Sequence, residues 1–181
     1  EPMIRFDNRV AIVTGAGVGL GRSHAMLLAS RGAKVVVNDP GGSVDGSGTA
    51  NAVADKVVAE IKAAGGEAVA SYGSVSNWDQ AQGIIQTAMD AWGRVDILVN
   101  NAGILRDKAF VNMTKEEYEA VDAVHHLGTA YCTKAAWPIM RKQAYGRIVV
   151  TTSGSGTVGN FGQANYGAAK MAVNGLINVL R

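Results

Sequence analysis

The chain has 181 residues, 48% of them hydrophobic and 18% charged, enough for one domain with a sizeable core and too few for two of ordinary size. Seventeen basic and 15 acidic residues leave a net charge of +2, with no basic stripe interleaved with aromatics, which argues against nucleic acid as a partner. No apolar run approaches the roughly 18 residues of a membrane span, the N-terminus has no signal-peptide pattern, and the one cysteine, Cys132, reads as a buried small hydrophobe in a helical stretch rather than a nucleophile.

Residues 10–14, Val-Ala-Ile-Val-Thr, form a short β-branched run expected to be a buried strand. Behind it come Gly15, Gly19, Leu20 and Gly21, then a helical pattern to about residue 31. Strand, glycine turn and helix in that order make a phosphate cradle, because glycines admit the backbone to a pyrophosphate and the helix N-terminus offers free N–H groups. Residues 34–38 are the second strand, and Asp39 follows at its tip. A carboxylate there accepts hydrogen bonds from ribose hydroxyls and repels a 2′-phosphate, which points to NAD rather than NADP. A simple Asp39-Pro40-Gly41 turn is the competing reading.

Residues 49–64 have helical periodicity, with Val53, Val57, Ile61 and Ala64 on one side. Residues 67–71 are a third strand, and residues 77–92 a third helix capped by Ser76 or Asn77. The fourth strand, residues 95–99, runs into Asn100-Asn101-Ala102-Gly103. Two roles fit these asparagines: lining a ligand crevice at a strand's carboxyl end, or bonding neighbouring backbone. Residues 113–144 carry a long helical pattern with breaks expected near Gly128 and at Pro138. It contains His125 and His126, which lack a third ligand in view, so no metal site is expected. A fifth strand, residues 147–151, delivers Ser153, and a last helix spans residues 164–181.

Strands and helices that alternate in this way imply an α/β, Rossmann-type doubly wound parallel sheet of order 3-2-1-4-5. That order gathers the glycine turn, Asn101 and residues 153–170 in one crevice. Tyr166 and Lys170 are four residues apart, so phenol and ammonium leave the same helix face. A phenol beside a fixed positive charge releases its proton more readily than a free one. Ser153 can hydrogen-bond the substrate oxygen whose charge changes.

Thr14-Gly15-x-x-x-Gly19-x-Gly21, Asn100-Asn101-Ala102-Gly103 and Ser153 with Tyr166-x-x-x-Lys170 together resemble the short-chain dehydrogenase/reductases, over the whole of residues 1–181. The resemblance implies a single NAD-binding domain that moves a hydride between nicotinamide and a carbinol or carbonyl carbon. Tyr166 would be the acid/base, Ser153 would hold the substrate oxygen, and Lys170 would bind the nicotinamide ribose. Gly15, Gly19, Leu20, Gly21, Asp39, Ser74, Val75, Asn101, Ala102 and Gly103, with Tyr166 and Lys170, would contact the cofactor. A closer likeness lies in Val37-Asn38-Asp39-Pro40-Gly41-Gly42 and the glycine-rich extension to Gly48, in Asn101-Ala-Gly-Ile-Leu-Arg106-Asp107, and in Gly159-Asn-Phe-Gly-Gln-Ala-Asn165. These resemble the (3R)-hydroxyacyl-CoA dehydrogenase domain of peroxisomal multifunctional β-oxidation enzymes and their bacterial relatives. A (3R)-hydroxyacyl-CoA is then the implied substrate.

Three features depart from that family. His125 stands where many members carry an asparagine whose main-chain carbonyl holds a water of a proton relay, a duty His125 can also perform. Tyr72-Gly73-Ser74-Val75 lacks the acidic residue often found near the adenine. The sixth strand, the Pro-Gly turn over the nicotinamide and the substrate lid are not among these 181 residues. The expectation is an incomplete record of a longer dehydrogenase, truncated after the fifth βα unit, and an intact mass near 18.8 kDa would contradict it. A 3-ketoacyl-thioester reductase or a hydroxysteroid dehydrogenase would use the same Ser, Tyr and Lys. A non-catalytic dinucleotide-binding subunit, or an inactive fragment, is the alternative of another class. By resemblance the helices at residues 113–142 and 164–181 pair isologously into a homodimer or homotetramer, helped by Ala168, Ala169 and Ala172. The compartment would be cytoplasmic in a bacterium and peroxisomal in a eukaryote.

Overall fold

Five short strands, β1 (Val10–Thr14), β2 (Lys34–Asn38), β3 (Glu67–Ser71), β4 (Ile97–Asn100) and β5 (Arg147–Val150), are separated by helices in a computed structural model that describes residues 3–42 and 52–181. The helices are α1 (Gly19–Ser30), α2 (Ala52–Ala63), α3 (Trp78–Trp92), α4 (Lys115–Asp122), α5 (Gly128–Gln143), α6 (Gly154–Thr157) and α7 (Ala164–Leu180). The strands are all parallel and lie in the order β3-β2-β1-β4-β5, the expected topology.

All five residues of β1 are buried, because the sheet is covered on both faces. Side chains alternate across it. Ala11, Val13, Val35, Val37 and Val99 pack with Ala25, Ala29, Val57 and Ile61 of α1 and α2. Val10, Ile12, Val36 and Leu98 pack with Ile84, Ile85, Cys132 and Ala136 of α3 and α5. Each large aliphatic side chain so buried contributes about 1.5–3 kcal/mol, which is why a central strand carries no solvated position. Burial pushes the Cys132 thiol up to about 12, so it remains an unreactive core residue. β5 is the edge of the described sheet, and its Val149 is 50% exposed.

Local chemistry sets the helix ends. Asn77 caps α3 by accepting from the Gln80 N–H at 2.9 Å, and Gly93, at φ 70°, ends it. Thr114 and Glu117 form a reciprocal capping box on α4. At the amino end of the sheet, Asp96 is fully buried and receives hydrogen bonds from Val10 N, Arg9 and Arg94. Burial alone would push its carboxyl up, but these partners outweigh it and hold the group below its ordinary value. β4 runs from Ile97 rather than from residue 95, although the Asp96 backbone already bonds both neighbours, its N–H donating to the Val10 carbonyl at 2.9 Å and its carbonyl accepting from Arg147 N at 2.8 Å.

The long helical region departs from the expectation of two breaks. Pro138 lies inside α5 without breaking it, because Cys132 and Ala136 before it and Met140 after it are all anchored in the core. The expected break near Gly128 is a π-helical turn, Ala123–Leu127, between α4 and α5. A 3-10 turn at Phe110–Asn112 and the single turn α6 were not expected. The glycine-rich stretch to Gly48 and the start of the helix expected at residues 49–64 lie outside the described residues, and α2 is described from Ala52.

Candidate active site

Parallel pairing levels the carboxyl ends of β1, β2, β4 and β5, with Thr14 opposite Asn38 and Asn100 opposite Val150. Every residue singled out in the sequence lies at or just beyond that edge, except those on the helices α7 and Ala123–Leu127 that cross it.

After β1 the chain turns through Gly15 and Gly19, both at positive φ (62° and 55°), into α1. Among the described residues no side chain caps that helix, and no acidic residue occupies its first turn, which suits its N–H groups to an anion. A methyl group at Gly21 would overlap the Gly15 carbonyl oxygen and lie 2.6 Å from Asn101 Nδ2, so only glycine lets the turn close. Val18 and Leu20 are 57% and 67% exposed on its rim.

The Asn101 amide bonds neighbouring backbone. Its Nδ2 donates to the carbonyls of Thr14 at 3.1 Å and Gly15 at 3.2 Å, which welds the loop after β4 to the glycine turn. The Thr14 hydroxyl completes the weld by accepting from the N–H groups of Asn101 and Ala102 at 3.1 and 3.0 Å. Thr14 enters the sequence motif without a role of its own, and its one sequence signal is a lone hydroxyl ending an apolar strand. Asn100 donates to the Thr133 hydroxyl at 3.2 Å inside the core.

Asp39 stands beside the turn. One carboxylate oxygen accepts from Gly17 N at 2.9 Å and the other from Gly41 N at 2.8 Å. The carboxylate is thereby held beside the glycine turn. Ser74 and Val75 divide. The Ser74 hydroxyl pairs with Ser76 at 2.8 Å at the partly buried end of β3, while the Val75 side chain is 5% exposed and packs in the core against Gly128. Only the backbone of Val75 is left to touch a ligand.

Ser153 caps α6, and its Oγ accepts from Ser155 N at 3.2 Å, which leaves the hydroxyl proton free to donate. Tyr166 and Lys170 share one face of α7. Glycines bring α6 onto α7: a methyl group at Gly167 would lie 2.8 Å from the Ser155 carbonyl oxygen. Lys170 is 3% exposed, donates to the Thr151 carbonyl and lies 5.6 Å from the Tyr166 ring centroid. Burial lowers its pKa from 10.5 to about 8, so it is still a cation at neutral pH.

His125 is brought into this group by the π-helical turn. Its ring meets Tyr166 edge-on, with centroids 5.0 Å apart and planes at 90°. Nε2 lies 2.8 Å from the Ile104 carbonyl oxygen and 3.1 Å from Ile104 N, while the His125 carbonyl accepts from the Thr129 hydroxyl at 2.7 Å. Gly103 makes room, since a methyl there would collide with Cε1 of the imidazole. Burial and then the Lys170 charge push the His125 pKa down to about 4, so the ring is neutral. His126 instead faces Asp122 at 3.2 Å, and no cluster of three metal-ligating side chains exists among the described residues. No helix among them is long and apolar enough to cross a membrane.

A free helix N-terminus, a fixed carboxylate beside it and a buried cation under a phenol fit a dinucleotide with a proton-transfer site at one end. Comparison with known proteins agrees. The family model described as short chain dehydrogenase matches residues 9–181. Peroxisomal multifunctional enzyme type 2 of Drosophila melanogaster is 58% identical over 177 residues, 98% of this chain and 29% of that protein. A short-chain type dehydrogenase/reductase of Mycobacterium tuberculosis is 57% identical over 174 residues, 96% of this chain and 61% of that one. Among solved structures, a short chain dehydrogenase from Mycobacterium avium superposes with a TM-score of 0.87 at 49% identity, covering 96% of this chain and 64% of its own. The chain therefore spans between about a third and two thirds of the length of these relatives, and it belongs to the short-chain dehydrogenase family.

Proposed function

We propose that this chain carries the oxidoreductase site of an NAD-dependent (3R)-hydroxyacyl-CoA dehydrogenase, with Ser153, Tyr166 and Lys170 as its catalytic residues. The observation that carries the reading is the buried, still charged Lys170 beneath the Tyr166 ring, on a helix packed against the turn α6 that Ser153 caps with its hydroxyl proton uncommitted. NAD supplies the hydride acceptor when bound. The N-terminus of α1 and the glycine turn hold its pyrophosphate, and Asp39 holds the adenosine ribose and repels a 2′-phosphate. Ser153 donates a hydrogen bond to the substrate's 3-oxygen, and the Tyr166 oxygen takes the proton leaving that oxygen. The Lys170 ammonium stabilises the negative charge on the phenol oxygen during this transfer. His125, neutral and edge-on to Tyr166, keeps the phenol in place.

The acyl-CoA substrate rests on the resemblance of the Asn101–Asp107 and Gly159–Asn165 segments to that enzyme group, together with relatives described as peroxisomal multifunctional enzymes. Association through α4, α5 and α7 is part of the same reading. Of the alanines named for it, Ala168 is exposed, Ala172 half-buried and Ala169 fully buried inside the subunit, so only the first two are available. The test is NADH formation from (3R)-3-hydroxybutanoyl-CoA, with NADP and the (3S) isomer as controls. Selective turnover of the (3R) isomer with NAD is expected, and Tyr166→Phe should lower it by roughly 10²- to 10⁴-fold while NAD binding holds. Equal turnover of both isomers, or a preference for NADPH and a 3-ketoacyl thioester, would overturn the assignment.

A further inference from the structure

Gln163 joins three segments around the catalytic group, and none of the roles above uses it. Its Nε2 donates to Asp107 Oδ2 at 2.9 Å, and its Oε1 accepts from Ser155 Oγ at 2.8 Å and Asn160 Nδ2 at 3.0 Å. The amide orientation is forced: a carboxylate only accepts, so the NH₂ group must face Asp107 and the oxygen must face Ser155 and Asn160. The Ser155 hydroxyl is then committed as a donor to Gln163. Its backbone N–H donates in turn to Ser153 Oγ at 3.2 Å. A continuous chain of directed hydrogen bonds thus runs from Asp107, on the loop after β4, through Gln163 and Ser155 to the catalytic hydroxyl.

The backbone reinforces the same junction. Lys108 N donates to the Gly162 carbonyl at 2.9 Å and Gly167 N to the Gln163 carbonyl at 2.8 Å, so Gln163 sits where the loop after β4, the turn α6 and the start of α7 meet. One donor to Ser153 Oγ occupies one lone pair and so confines its proton to the two remaining directions. A serine that must aim that proton at one oxygen atom depends on this donor staying in place.

We propose that Gln163 and Asp107 are positioning residues that orient the Ser153 hydroxyl through Ser155; the inference rests on the proposed role of Ser153. Replacing the amide by a carboxylate in Gln163→Glu sets two carboxylates against each other at the Asp107 contact and pulls the loop away. Asp107→Asn in the same chain restores a donor–acceptor pair, because the new NH₂ group can donate to the carboxylate introduced at position 163. The measurement uses the full chain that carries these residues, with the alcohol the wild type oxidises best, so the identity of the acyl carrier does not enter. Q163E should lower kcat roughly 10- to 100-fold with NAD affinity within about twofold. The D107N/Q163E pair should recover most of the loss, and lowering the pH should recover part of it in Q163E alone. A kcat within about twofold of wild type in Q163E, or a loss that D107N does not repair, overturns the proposal. If the wild type oxidises no alcohol, the proposed function fails, and the crystal structure of Q163E then decides this inference. A Ser153 Oγ that has left hydrogen-bond distance of Ser155 N supports it, and an unmoved one overturns it.

Discussion

Lys170 is a cation with 3% of its surface exposed and, among the described residues, one hydrogen bond, to the Thr151 carbonyl, and this makes its cost measurable. In the folded chain burial lowers its pKa from 10.5 to about 8. Between those values the unfolded chain binds a proton that the folded chain does not, so folding becomes more favourable as pH rises. Below about pH 8 the lysine is charged in both states and the folded state carries the whole penalty, roughly 3 kcal/mol. A salt-bridged lysine would show the opposite slope. The clean readout is the difference in unfolding free energy between wild type and Lys170→Met, from urea melts at a series of pH values. Groups that titrate alike in both proteins cancel in that difference, and so does the fixed cost of leaving the Thr151 carbonyl without its donor; Tyr166, whose phenol feels the Lys170 charge, is taken out by repeating the pair in a Tyr166→Phe background. The wild type should gain on the variant by about 3 kcal/mol from pH 8 to pH 10.5, while the variant has no turnover. A difference that stays flat, or that falls with pH, would refute the picture of a desolvated ammonium held in place for chemistry.

Three further expectations follow from the same geometry. His125, pushed down to about 4, refuses a proton that the unfolded chain accepts near its ordinary value of 6.5, so stability should fall as pH drops from about 6.5 to 4. Acid-series melts of wild type against His125→Gln would register this, and an identical pH dependence in the two would contradict it. Gly21→Ala forces a methyl into the Gly15 carbonyl and should cost about 1–3 kcal/mol or more together with NAD affinity, by thermal melt and fluorescence titration. Retained NAD affinity there would mean that the turn does not hold the pyrophosphate. Asp39→Asn should narrow the preference for NAD over NADP by roughly tenfold or more in equilibrium binding, because the charge that repels a 2′-phosphate is gone. An unchanged ratio would place the discrimination elsewhere.

The strands and their order were legible in the sequence because a parallel sheet covered on both faces demands uninterrupted β-branched runs, and glycine must follow where the chain turns tightly. The spacing of Tyr166 and Lys170 likewise needs only the period of a helix. What the sequence left open depends on contacts between residues far apart in the chain. That the Asn101 amide bonds backbone depends on Thr14 and Gly15, 87 and 86 positions away. That Val75 turns its side chain into the core was decided by a glycine on α5, and that the helix survives Pro138 by the apolar surface on both sides of it. The depth of Lys170, which gives the site its electrostatics, has no one-dimensional signature, since a Tyr and a Lys four apart occur as readily on a solvated face. Periodicity and turn chemistry are local and are therefore written in the order of residues, whereas desolvation and hydrogen-bond partnership arise only when α6, α7 and the π-helical turn close over the carboxyl edge of the sheet.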